Sequence, residues 1–394
     1  MAEITMNNLL AQETIRNPHA FYAQLRTETP LYYVEEMNAW VLTTYEDALW
    51  LLKDPRFTKD SRKITPPEGE QNPRMEEMAA HMRNMLMTDP PDHTRLRSLV
   101  SKAFTPRMIE LLRPRIQQIA DELLDTVQER GSMDFIPEFA YPLPITVISE
   151  MLGIPVADRQ QFRVWTRRII NMEEEARISS LQEFLGYIKT LLDEKRVHPG
   201  NDLVSSLVQV EEQGDQLREN ELVSMIFLLI VAGHETTVNL LGNGTLALLQ
   251  HPEQIQLLQH DPSLIPAAVE ELLRYTAPVS LSDERWATED ILLHGKVIRQ
   301  GQMVLASLLS ANADPQHCPA GDALDITRQE NQHLAFGKGI HFCLGAPLAR
   351  MEGQIAFSTL FRRLPNLRLT SDPAQLIWNV NPMLRGLTSL PVAF

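Results

Sequence analysis

The chain has 394 residues, of which 44% are hydrophobic and 22% charged, an ordinary composition for a globular protein with a large buried core. Its formal charge of −15 repels a phosphate backbone and argues against nucleic acid as a partner. Two cysteines, Cys318 and Cys343, are too few for a disulfide framework and form no CxxC pair, which suits a reducing cytoplasm.

At the N-terminus, MAEITMNNLLAQETI lacks a basic n-region and a long apolar run, so it does not read as a signal peptide. AWVLTTY (39–45) is a strand signal. Proline-rich stretches at 65–73, 88–93 and 141–144 predict loops between helices. Residues 107–130 and 180–196 carry the apolar period of amphipathic helices, the first despite Pro114. Glu219–Gln250 predicts one long helix, apolar on nearly every face in its middle and therefore crossing the core. Its most apolar run, MIFLLIVAG, is much shorter than the ~20 residues that span a bilayer, and no membrane anchor is expected. Residues 294–307 predict strands, with VIRQG and QMVLAS paired as a hairpin, and LTSLPVAF predicts a strand at the C-terminus. No repeat or composition break divides the chain. The expected fold is mainly α with minor β, in a single domain over 1–394.

FGKGIHFCLG (336–345) is the most informative segment. Gly337, Gly339 and Gly345 surround Cys343 and permit positive φ and close backbone approach. The following APLARMEGQIAFSTLFRRL has helical spacing, so Cys343 sits just before a helix N-terminus, where a thiolate is favoured over a thiol. A dinucleotide loop fails, because GxGxxG needs glycine where Phe342 stands, and CxxCH is absent. A buried inert cysteine, a catalytic cysteine with a histidine base and a metal ligand remain open on this segment. Within the long helix, AGHETT places Glu235 and Thr236 where burial is expected, and there they need partners or water. HExxH is excluded by Val238, and His234 reads as a packed histidine.

The cysteine segment resembles the haem-binding loop of the cytochromes P450, FxxGxxxCxG, through Phe336, Gly339, Cys343 and Gly345. The resemblance extends over nearly the whole chain, in order and spacing, and points to the bacterial group that includes macrolide hydroxylases and a bacillus-type fatty-acyl cleaving enzyme. It implies a P450 fold, with haem b between the long central helix and the cysteine-loop helix. Cys343 would be the iron ligand, in a loop with Phe336, Gly337 and Gly345. His93 and Arg97, at i and i+4, would hold one propionate. Arg285 would hold the other, and His341 would add a further donor. Ala232 and Gly233 would leave a groove for oxygen. Glu235 and Thr236 would hold water and relay protons. Glu271 and Arg274, joined by Arg328, would form a buried structural trio that stabilises the cysteine loop. The family commonly has arginine where Ala313 stands, which puts one local surface ion pair in doubt.

The resemblance also assigns substrate contacts to Met85 and Leu86, the 162–188 region, Val231 and Ala232, 278–281 with Val279 and Leu281, and Met383 with Leu384. These imply a mid-sized hydrophobic substrate: a polyketide, steroid, terpenoid or fatty acyl chain. The sequence holds no flavin or iron–sulfur motif, so electrons are expected from a separate ferredoxin or flavodoxin. Lys338, Arg350, Arg362 and Arg363 are expected to form its basic docking patch. The competing readings are another P450 oxidation, such as C–C cleavage or coupling on a carrier-bound substrate, a non-catalytic haem sensor, and a haem-free cysteine hydrolase.

Overall fold

The computed structural model describes residues 5–64, 82–170, 174–212 and 215–394. Its main helices in chain order are α1 (Pro18–Glu28), α2 (Tyr45–Leu51), α3 (Asp92–Ala103), α4 (Pro106–Gln128), α5 (Pro142–Leu152), α6 (Arg159–Ile170), α7 (Glu174–Val197), α8 (Leu203–Gln209), α9 (Glu219–Gln250), α10 (Ile265–Thr276), α11 (Leu308–Asn312) and α12 (Ala346–Arg363). The strands are β1 (Leu31–Val34), β2 (Ala39–Leu42), β3 (Phe57–Thr58), β4 (Ser132–Asp134), β5 (Arg285–Ala287), β6 (Ile291–Leu293), β7 (Lys296–Ile298), β8 (Met303–Ala306), β9 (Arg368–Leu369) and β10 (Pro391–Ala393). The chain is therefore mainly α with small sheets.

Two compact units share these elements. The first holds the described residues up to 58 together with 116–143 and 236–394. Its five-stranded sheet has the order β1-β2-β8-β5-β3. β2 and β8 run parallel, with Val304 beside Trp40, while β1 pairs with β2 antiparallel. Leu42, Tyr45, Leu51, Phe57 and Val304 form one core beside this sheet, and Tyr22, Tyr32, Val41 and Leu305 form another. A second sheet, β9-β10-β4, anchors the C-terminus. Helices α10 and α12 pack on each other. Close packing in this unit depends on Gly244, where a Cβ would come within 2.7 Å of Phe357 and 3.3 Å of Leu272. The second unit holds 59–115 and 144–235. There α6 packs against α7 through Phe162, Trp165, Phe184 and Tyr187, whose rings meet mainly edge to face.

Helices α4, α7 and α9 form where the apolar period places them, and Pro114 is accommodated inside α4. α9 is long and apolar enough to cross a bilayer by composition. Residues 237–248 are all buried within the protein, however, so it serves as a core helix.

Two local expectations fail. Residues 141–144 are no simple loop, because α5 begins at Pro142. Pro142 and Pro144 occupy its first turn, where the missing N–H groups have no intrahelical partner to lose. The predicted VIRQG–QMVLAS hairpin does not form either. β7 pairs instead with β6 across the two-residue turn His294–Gly295, where both residues have positive φ, as a tight turn of primed type requires. β8 is thereby left to join the large sheet. The 65–73 stretch lies outside the described residues.

Candidate functional site around Cys343

Cys343 lies two residues before the helix N-cap Gly345. Two backbone turns build its loop. The Gly337 N–H donates to the Leu334 carbonyl at 2.8 Å, and the Cys343 N–H donates to the Phe336 carbonyl at 2.9 Å. Gly337 and Gly339 have φ of 68° and 75°. A side chain at Gly339 would be doubly excluded, since its Cβ would stand 2.8 Å from the Leu52 carbonyl oxygen. The sequence thus folds into a cradle that leaves Cys343 partly accessible, whereas Cys318 is buried.

The 18-residue α12 starts beside this sulfur and directs the positive end of its dipole towards it. Among the described residues, no group of three or more His, Cys, Asp or Glu side chains could hold a bare metal ion. One thiolate in a glycine cradle fits a metal group that would carry its other donors itself, such as an iron porphyrin.

α9 carries the second feature. Its residues 222–227 and 237–248 are buried, yet Leu228, Leu229, Val231, Ala232, Gly233, Glu235 and Thr236 keep accessible surface. An otherwise buried helix is thus open in its middle, where the only carboxylate and hydroxyl neighbours are Glu235 and Thr236. His234 is fully buried, with Nδ1 donating to the Ile230 carbonyl at 2.8 Å and Nε2 3.8 Å from the Glu235 carboxylate. Burial pushes its pKa down, so the ring is neutral and packed.

The charged residues occupy fixed places on regular elements. His93 and Arg97 lie on α3, with His93 buried on the same helix face as Leu96 and Val100. Burial lowers the His93 pKa and the Arg97 cation adds to that, so at neutral pH the imidazole is an uncharged hydrogen-bonding group. Arg285 is buried on β5 opposite Val304, and His341 ends the short turn before Cys343. A buried arginine and a buried histidine match the charge and donors of carboxylate-bearing propionates.

The structure brings Glu271, Arg274 and Arg328 together. Arg274 donates to Glu271 through two parallel 2.8 Å bonds, and Arg328 Nε is 3.3 Å away. Both members of the first pair are buried, so it is no solvated surface pair. A hydrogen-bond path runs from here to the cysteine. Arg274 donates to the Asn312 carbonyl at 3.0 Å, Asn312 Oδ1 accepts from the Leu334 N–H at 2.7 Å, and Leu334 begins the turn that leads to Phe336. Ala313 is buried, and the Gly321 Cβ position would overlap its backbone.

Comparison with known proteins decides the family. The sequence pattern of the family described as Cytochrome P450 matches residues 144–384. The chain belongs to the cytochrome P450 family. It is 51% identical over 412 residues to cytochrome P450 CYP107DY1 of Priestia megaterium, with all of both chains covered. It superposes on the Bacillus subtilis 168 bacillaene polyketide synthase cytochrome P450 PksS with a TM-score of 0.91, at 45% identity and 98% coverage of each chain. It also superposes on P450BioI in complex with an acyl carrier protein ligated to hexadec-9Z-enoic acid, with a TM-score of 0.88, 39% identity, and 98% of this chain and all of that one covered. This P450 is a monooxygenase that uses a haem iron–thiolate cofactor.

The four cations expected to form a docking patch have different surroundings. Arg350 is held by Glu270 in a bidentate pair at 2.7 and 2.8 Å. Arg363 pairs with Asp121 and Asp125 at 3.2 and 2.6 Å. Arg362 is exposed, with Asp121 3.8 Å away, and Lys338 is exposed at the cysteine loop. Leu281 packs in the core with Leu9, Tyr22, Leu305 and Leu309. Val279 and Leu384 do meet, as an antiparallel bridge, and both keep accessible surface. In the second unit, the turn Met85–Met87 packs on α3, with Leu86 partly exposed and Met85 buried.

Sequence reasoning missed Glu270, His333 and Glu352. Glu352 had a readable signal: it stands among Leu348, Met351 and Ile355, on the buried stripe of α12.

Proposed function

We propose that this P450 hydroxylates a mid-sized hydrophobic substrate such as a polyketide, steroid, terpenoid or fatty acyl chain, acting as one cytoplasmic P450 domain with a separate ferredoxin or flavodoxin. The observation that carries the reading is the partly accessible Cys343 in its glycine cradle at the start of α12. Cys343 supplies the thiolate, and Phe336, Gly337 and Gly345 shape the space around it. His93, Arg97, Arg285 and His341 hold the propionates through charge-assisted hydrogen bonds. Bound through a thiolate, haem supplies reductive activation of O2, with two electrons and two protons consumed, one oxygen atom entering the substrate and the other leaving as water.

Ala232 and Gly233 are the smallest residues on the open stretch of α9 and are the proposed groove for oxygen. Glu235 and Thr236 hold water there and pass protons inwards, the carboxylate exchanging with solvent and the hydroxyl presenting the proton. Met85, Leu86, Val231, Val279, Leu281 and Leu384 are the proposed apolar contacts of the substrate, which would position a C–H bond.

The test is spectroscopic. Reduced holoenzyme with CO is expected to show the red-shifted Soret band of thiolate ligation, and Cys343→Ser is expected to lose it; a Cys343→Ser protein that keeps the band overturns the assignment. A panel of fatty acids, macrolides, steroids and terpenoids, read by the spin-state shift on water displacement, then identifies the substrate class. The similarity to the carrier-bound P450BioI complex supports a second reading, in which the substrate arrives on an acyl carrier protein. Tighter binding of acyl carrier conjugates than of the free acids would favour it.

A further inference from the structure

The Glu270–Arg350 pair belongs to neither the buried structural trio nor the open face of α9. Arg350 lies on α12, seven residues after the cysteine, with its guanidinium 4.6 Å from the centroid of the Phe336 ring. Phe336 is the residue whose carbonyl accepts the Cys343 N–H. The Glu270 carboxylate accepts two hydrogen bonds from the guanidinium at 2.7 and 2.8 Å, and His333 Nε2 is 3.2 Å from the same carboxylate. Burial alone would raise the Glu270 pKa, but Arg350 and His333 hold it down at about 2. The Arg350 pKa is raised, chiefly by the Glu270 hydrogen bond, and the charge of Cys343 contributes. The cation thus stacks on the ring of the residue whose carbonyl holds the Cys343 N–H, in a half-buried setting where screening by water is incomplete.

We propose that Arg350 is a positioning residue for the Cys343 thiolate, that its charge limits how much electron density the sulfur donates, and that Glu270 offsets this charge. The reasoning is elementary. A cation near a thiolate stabilises the negative charge on sulfur and favours the reduced state of a metal bound to it. The bidentate carboxylate cancels part of that field, and stacking on Phe336 fixes its distance from the loop. The proposal rests on Cys343 being the haem ligand.

Spectroelectrochemical titration of the holoenzyme tests it, with the reduced-CO band recorded for each variant. Glu270→Gln is expected to raise the midpoint potential, because the cation is no longer offset. Arg350→Gln is expected to lower it, and Glu270→Gln combined with Arg350→Gln to return close to wild type. Arg350→Lys keeps the charge and is expected to stay near wild type. If Arg350→Lys shifts the potential as far as Arg350→Gln, or the double variant fails to return, the pair acts through loop geometry and the proposal falls. If Arg350→Gln does not fold, Glu270→Gln and Arg350→Lys still decide: an unchanged potential in Glu270→Gln overturns it. Persistence of the thiolate band in Cys343→Ser instead overturns the ligand assignment, so the two failures are distinguishable.

Discussion

Two buried glutamates in the first unit meet opposite fates. Glu271 on α10 is completely buried and accepts hydrogen bonds from Arg274, Arg328, Asn331 and the Asp325 N–H. Glu352 on α12 is equally buried, but its hydrogen bond goes to Thr237 and its Oε2 has no partner among the described residues. Burial pushes the Glu352 pKa up to about 8, with the Thr237 bond opposing the shift. Glu271 is therefore held in a frame of donors, two of them arginines, whereas Glu352 is a neutral acid at neutral pH. What separates them is the number of donors within reach, since both have lost their water.

The largest effect that would test this contrast is at Glu271. Glu271→Gln leaves Arg274 and Arg328 without a counter-charge and is expected to cost about 3–5 kcal/mol, read as a lower urea midpoint. The hydrogen-bond path through Asn312 and Leu334 predicts loss of the thiolate band in the same variant. A protein of undiminished stability would show that the trio is ornamental.

The next effect has the opposite sign. Because the folded-state pKa of Glu352 is raised, the folded protein binds the extra proton between about 4.5 and about 8. Its stability is full below the ordinary carboxyl value and falls as pH rises through that window, by up to about 3 kcal/mol at pH 7. Glu352→Gln, neutral at every pH, is expected to be more stable than wild type at pH 7, with a flatter stability–pH profile between pH 5 and 8. Parallel profiles for the two proteins would mean that Glu352 is ionised in the fold.

Thr237→Val should cost only about 1 kcal/mol, the worth of one neutral hydrogen bond, at pH 5. It should also move the midpoint of the Glu352 titration upwards, because the Thr237 bond opposes the burial shift. Infrared difference spectroscopy of the protonated carboxyl, followed against pH, reads that midpoint directly. The smallest effect is expected at Asn331→Ala, which removes one donor from Glu271 and leaves both arginines in place. It should lower the urea midpoint by about 1 kcal/mol equivalent, well short of the loss at Glu271 itself.

The parts of the site legible in the sequence are those governed by local rules. Gly337 and Gly339 announce positive φ, the run 346–363 announces a helix, and Cys343 therefore announces its place at a helix start. α9 was readable from its apolar length, and the i, i+3 spacing of Glu271 and Arg274 put them on one helix face. The spacing could not say which face. The same pair on a surface would be worth a few tenths of a kcal/mol, and only burial makes it structural.

By itself, then, the sequence determined the thiolate loop, the long core helix and the family, because each depends on residues near one another in the chain. Only the tertiary structure decided the charge carried by each buried group. It turned Arg350 inwards onto Glu270 and Phe336, took Leu281 into the core, and paired β7 with β6. It also left Glu352 without enough donors to ionise. Ionisation and docking depend on which distant groups arrive within about 3–4 Å and on how much water they displace, and neither is written in local spacing.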